Sequence, residues 1–134
     1  MEEKSPQNQA AALEERLVQF AIGIIPIANQ LGATFAGRNI AAQLIRSGTS
    51  PAPNYAEARS AERRADFVHK LRIAIKELNE TSIWLRIAMG SGLLKLESVA
   101  GLPAECDELR RIIGASIRTA RLRGDREQTD GPRQ

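Results

Sequence analysis

His69 is the only histidine of the chain and Cys106 its only cysteine. On an ideal helix His69 points about 160° away from Leu71, off the apolar stripe traced below. Asp66 stands three residues before it and no cysteine is close, so a metal would lack ligands there. His69 therefore reads as a surface or interface residue. Cys106 falls at an inward position of the last predicted helix and reads as a small core residue. Asp66, Glu77 and Glu80 share one helix face, and acid–base work would require burial to displace their pKa values. Nothing in the sequence buries them, so they read as a solvated face. The chain has no phosphate-binding glycine loop, no HExxH helix and no nucleophile elbow. The expectation is a protein that is not an enzyme, with no cofactor, no metal and no small-molecule substrate.

The basic residues carry more of a pattern. In the last helix Arg110, Arg111, Arg118 and Arg121 project within about 100° of one another, beside the inward stripe. In the longest helix Arg72, Lys76 and Arg86 form a second stripe, with Asn79 between them. Such stripes can line phosphates, each contact adding a salt-sensitive increment to affinity. An ordinary charged face has the same composition, and Asp107, four residues before Arg111, is placed to pair with it. No aromatic residue interleaves the arginines, so stacking on single-stranded bases is not indicated.

Helices must position these groups. Residues 60–89, SAERRADFVHKLRIAIKELNETSIWLRIAM, contain no Gly or Pro. Phe67, Leu71, Ala74, Leu78, Thr81, Leu85 and Ala88 recur at spacings of four and three, the signature of an amphipathic helix packed in a bundle. Ser60 is placed to cap it, and Gly90 and Gly92 to stop it. A first helix over 10–30 carries Leu13, Leu17, Phe20, Ile24, Ile27 and Leu31 inward. Pro26 is expected to kink or divide that helix. After a connection at 32–37, a second helix points Ile40, Ala41, Leu44 and Ile45 inward. Residues 47–55 have the composition of a linker, yet Ala52, Tyr55 and Ala56 extend the apolar face, and these rules leave the stretch undecided. Residues 93–103 are ambiguous. The last helix spans 105–122 with Leu102, Cys106, Leu109, Ile113, Ser116 and Ala120 inward. The fold class is all-α, an antiparallel up-down four-helix bundle over 10–123, with a flexible N-terminus at 1–9 and a disordered polar tail at 124–134.

The longest helix also bears a second apolar face. With Leu71 as zero, Ile73, Trp84 and Ile87 project at about 200°, 220° and 160°. Opposite the core stripe, they suit a contact between copies of the chain, flanked by Asp66, Glu77 and Glu80 on one side and by basic residues on the other. The alternative is a Trp covered by the ends of neighbouring helices.

A chain of 134 residues is one domain, large enough to bury a core without disulfide or metal. Its net charge of +3, from 19 basic and 16 acidic residues, is too small to argue for nucleic acid by itself. The longest apolar run, at 20–28, is broken by Pro26 and too short to span a bilayer. With no secretory signal before the first helix, a cytoplasmic protein without membrane attachment is expected.

Residues 37–58, GRNIAAQLIRSGTSPAPNYAEA, resemble the signature of the four helix bundle protein family, also called the 23S rRNA intervening-sequence protein family. Residues 65–74, ADFVHKLRIA, with KEL at 76–78 and WLR at 84–86, are similar to its second signature, and AECDEL at 104–109 to the start of its last helix. The likeness runs from about Leu13 to Ala120, with Pro26 and Pro103 departing from the usual pattern. The resemblance implies that the second helix continues through Pro51 and Pro53 with a distortion. It implies a homo-oligomer, a ring of five, and no established enzymatic activity. Members are similar to the accessory protein of diversity-generating retroelements, which binds nucleic acid and a reverse transcriptase, and some are encoded within inserts in ribosomal RNA genes. Two functions follow as expectations: an oligomer that binds RNA or DNA backbone through its basic faces, or a protein–protein scaffold or accessory subunit with no nucleic-acid binding.

Overall fold

The computed structural model describes residues 5–129, all of its regular structure helical. Helix α1 (Pro6–Gln30) starts four residues ahead of expectation because Ser5 caps it, its side chain accepting the Asn8 N–H at 3.1 Å. Pro6 at the first helical position forfeits a donor that had no intrahelical partner anyway. Pro26 does not divide α1. It sits on the exposed face with Ile22, so the carbonyl its missing N–H would have bonded faces the solvent side. A short 3₁₀ turn (Leu31–Ala33) and the Thr34 cap, accepting from the Gly37 N–H at 2.9 Å, lead into α2 (Phe35–Thr49).

Helix α3 (Pro51–Arg59) follows after the single residue Ser50, which keeps helical dihedrals, φ −71° and ψ −35°. Proline at 51 and 53 removes the bonds to the Ser47 and Thr49 carbonyls. The Asn54 side-chain amide steadies the break by donating to the Ser50 carbonyl at 3.0 Å and approaching its hydroxyl at 2.9 Å. Buried Ile40, Leu44, Ser47, Gly48, Pro51, Ala52, Tyr55 and Ala58 run on through it as one face. The two helices thus form one distorted rod. Ile45, expected inward, is exposed, because this narrow face is already filled by Leu44 and Gly48.

Helix α4 (Arg64–Gly90) buries Leu71, Ala74, Leu78, Thr81, Leu85 and Ala88 as the spacing predicts. Ser60 does not cap it. Ser60 instead closes α3, its hydroxyl donating to the Ala56 carbonyl at 3.3 Å, and Arg63 is the residue that precedes α4. The chain leaves α4 through Gly92, whose φ of +78° only glycine adopts cheaply. A four-residue helix α5 (Leu96–Val99) follows, then α6 (Leu102–Thr129). Helix α6 begins three residues before Glu105 and continues past Leu122. Residues 6–9 and 124–129, which fall in the stretches expected to be flexible or disordered, are helical, and the rest of both termini beyond Ser5 and Thr129 lies outside the described residues.

Helix α1 packs on α2, α3 and α6, and α4 packs on α2, α3 and α6. The rods therefore neighbour one another in chain order, the up-down arrangement of a four-helix bundle. Leu17, Leu44, Leu71, Leu78, Leu85 and Leu109 are fully enclosed between them, each burial contributing about 1.5–3 kcal/mol. Inside the core Thr81 Oγ1 lies 2.9 Å from Ser47 Oγ. Each hydroxyl also reaches the carbonyl four residues back, Glu77 and Gln43, at 2.8 Å, so the buried oxygens have partners.

Candidate nucleic-acid interface

The two basic stripes meet along the groove between α4 and α6. Cys106, fully buried near the start of α6, places its thiol 3.2 Å from the Leu78 carbonyl at the middle of α4. One turn on, Arg110 Nη1 donates to Asn79 Oδ1 at 2.7 Å, bridging the stripes. Arg110 also pairs with Asp107, and its Nε is buried without a hydrogen bond among the described residues. It braces the seam and is not a free phosphate contact. Asp107 is thereby taken by Arg110 rather than by Arg111, the partner that a spacing of four suggests.

The other cations of the seam are differently placed. Among the described residues Arg72, Lys76, Arg86, Arg111, Arg118 and Arg121 make no ion pair, and all are exposed. Arg118 lies back along its own helix, and a side chain at Gly114 would touch both Arg118 Nη1 and Ile75 Cδ1 of α4. Arg72 and Arg121 line one groove of about 580 Å³, together with Arg64 and His69. Aspartates 107 and 125 are the acids of α6 that project into the arginine sector, within about 60° of Arg110. Neither stands free, since Asp107 holds Arg110 and Asp125 has a partner of its own.

The acidic face of α4 is the solvated face expected only at Asp66, which is exposed. Glu77 is only 9 % exposed and pairs at 3.0 Å with Arg46 of α2, which also holds Glu80. Trp84 Nε1 donates to the same Glu80 carboxylate at 3.3 Å. Trp84 and Ile87 line an apolar groove of about 780 Å³ with Phe35, Arg38 and Ile40 of α2, and Phe35 is 83 % exposed. Ile73 is half-buried and belongs to neither groove. Sequence patterning does not reach Phe35, which stands alone in a glycine-flanked connection with no periodic neighbour to assign it a face. Nor does it reach Arg64, whose place at the approach to its own helix gives no sign that α6 lies beside it.

The model of the family described as 23S rRNA-intervening sequence protein matches residues 13–115. The chain belongs to this family. A solved structure from Bacteroides thetaiotaomicron, a protein of unknown function from the S23 ribosomal protein family, is similar in fold with a TM-score of 0.73. It is 30 % identical over 78 % of this chain and 97 % of that one. No curated protein matches. The 23S rRNA-intervening sequence protein match takes in the α4 stripe and reaches Arg110 and Arg111 on α6, while Arg118 and Arg121 lie beyond it. No helix among the described residues is long and apolar enough to cross a membrane.

Proposed function

We propose that this protein is a non-enzymatic, homo-oligomeric helical bundle that binds RNA or DNA backbone along the α4–α6 seam. The observation that carries the reading is the set of exposed cations of α4 and α6, Arg72, Lys76, Arg86, Arg111, Arg118 and Arg121, without ion pairs among the described residues, two of which, Arg72 and Arg121, line one groove. A family description that refers to the intervening sequence of 23S rRNA agrees with an RNA partner. Backbone contacts without a recognition motif give weak, sequence-nonspecific and steeply salt-dependent binding. The test is the slope of log affinity against log salt for duplex and single-stranded oligonucleotides. Replacing Arg111, Arg118 and Arg121 together by Gln is expected to flatten it by about 0.7–0.9 for each phosphate no longer neutralised. Replacing Arg110, already engaged with Asp107 and Asn79, is expected to change the slope least. An unchanged affinity and slope in the triple variant overturns the reading.

A protein–protein scaffold with no nucleic-acid binding is the second reading, favoured by the exposed apolar groove around Phe35 and Trp84. Oligonucleotides that fail to bind the wild type at low salt would select it.

A further inference from the structure

The groove at one end of the seam differs from the rest of it. It lies where α4 begins and α6 ends, and Arg64, His69, Arg72 and Arg121 all line it. One carboxylate enters, that of Glu127, and Arg64 holds it with two hydrogen bonds of 2.7 and 2.8 Å. That pairing lowers the pKa of Glu127 below its ordinary value, so the carboxylate stays charged and committed to Arg64. Arg72 and Arg121 are left as two guanidinium groups with no ion pair among the described residues. The other cations of the seam, Lys76, Arg118 and Arg111, continue from here towards the Arg110–Asn79 bridge, and Arg63 and Arg123 line an adjoining groove that shares Arg64.

We propose that this groove takes a phosphate monoester, the terminal phosphate of a strand lying on the seam. The inference rests on the seam being the nucleic-acid face. Two free guanidinium groups and an imidazole donor match a group with three outer oxygens and a charge of about −1.5 to −2. An internal phosphodiester offers only two outer oxygens and one charge. Glu127 occupies the position of a competing oxyanion on Arg64, so its removal adds a third guanidinium to the site.

Three single-stranded RNA oligonucleotides of one sequence separate the possibilities: one with a 5′-phosphate, one with a 3′-phosphate, and one with hydroxyl groups at both ends. Fluorescence anisotropy is expected to show one phosphorylated strand binding about tenfold tighter than the hydroxyl strand, the yield of one well-made charged contact. Which strand gains tells the polarity on the seam. The advantage is expected to vanish in Arg72→Gln/Arg121→Gln, which alters only exposed side chains, and to grow in Glu127→Gln. Equal affinity for all three strands overturns the groove and leaves the seam reading standing. If no strand binds, the seam reading fails. Inorganic phosphate then decides the groove by itself: a rise in the thermal midpoint of the wild type but not of the double variant supports it, and no rise overturns it.

Discussion

Burial pushes the Cys106 thiol up to about 11 from an ordinary 9.0, against a smaller opposite pull from Arg110. The thiolate is the reactive form of cysteine, so a thiol held this high inside the seam is inert. Disulfide-exchange reagents at pH 8 are expected to titrate no thiol in the folded protein and one in denaturant. An unfolded chain ionises the thiol first, so stability is expected to fall as pH rises from about 9 towards 11. The difference in urea midpoint between wild type and Cys106→Ala should follow that window, and a difference independent of pH would place the thiol in water. At this scale the sequence is readable where a residue's surroundings lie on its own helix. The spacing of its neighbours alone places Cys106 inward. The burial of Glu77 is not legible in the same way, because its partner, Arg46, stands on another rod. Arg110 and Arg111 look alike in a projection of α6, and the bonds of Arg110 to Asn79 of α4 and to Asp107 tell them apart.

The helices themselves are legible because their apolar residues repeat with the turn, and in α1 and α4 the predicted stripes are the buried ones, apart from the half-buried Phe67. Their ends are harder, since capping depends on one or two residues that compete with alternatives nearby. Ser60 has the right chemistry for a cap and spends it on α3, while Ser5 does the capping further upstream. The approach of one helix to another is not legible at all. Gly48 of α2 faces Ile24 of α1, and a Cβ there would come within 2.8 Å of Ile24 Cγ1, closer than van der Waals contact permits. Gly48→Ala is therefore expected to destabilise the fold by about 1–3 kcal/mol, the range for overpacking. Shortening Ile24 to Ala in the same chain removes the clash, so the double variant is expected to cost less than the sum of the singles. Strict additivity in denaturant unfolding would mean that the two helices do not meet there.

For the whole molecule the apolar groove on α2 and α4 is the feature that a lone bundle leaves unexplained. Phe35, Trp84 and Ile87 keep apolar surface open to water there, and contiguous exposed patches of this kind mark contact sites. Trp84 is half-buried, packed on the core beside the first turns of α2. Its indole N–H is satisfied by Glu80, leaving its ring to face the groove. The acids read as one flank of a contact between copies are partly spent, because Arg46 holds both Glu77 and Glu80. What would draw a second copy is therefore apolar burial, with Arg38 at the edge of the groove, rather than a match of charged flanks. Buried interface Trp residues often contribute about 2 kcal/mol or more to association. Trp84→Glu is expected to dissociate the assembly while circular dichroism keeps its helical signal, since the side chain is half-buried at the margin of the core. Phe35→Ser, on the opposite wall of the groove, is expected to weaken the same assembly, whereas Ile73→Ser, outside the groove, should not. Light scattering at tens of micromolar is the measurement, with a ring of five as the expected wild-type mass. A monomeric wild type would leave the groove without a second copy, and an effect of Ile73→Ser equal to that of Trp84→Glu would put the contact on a different face of α4.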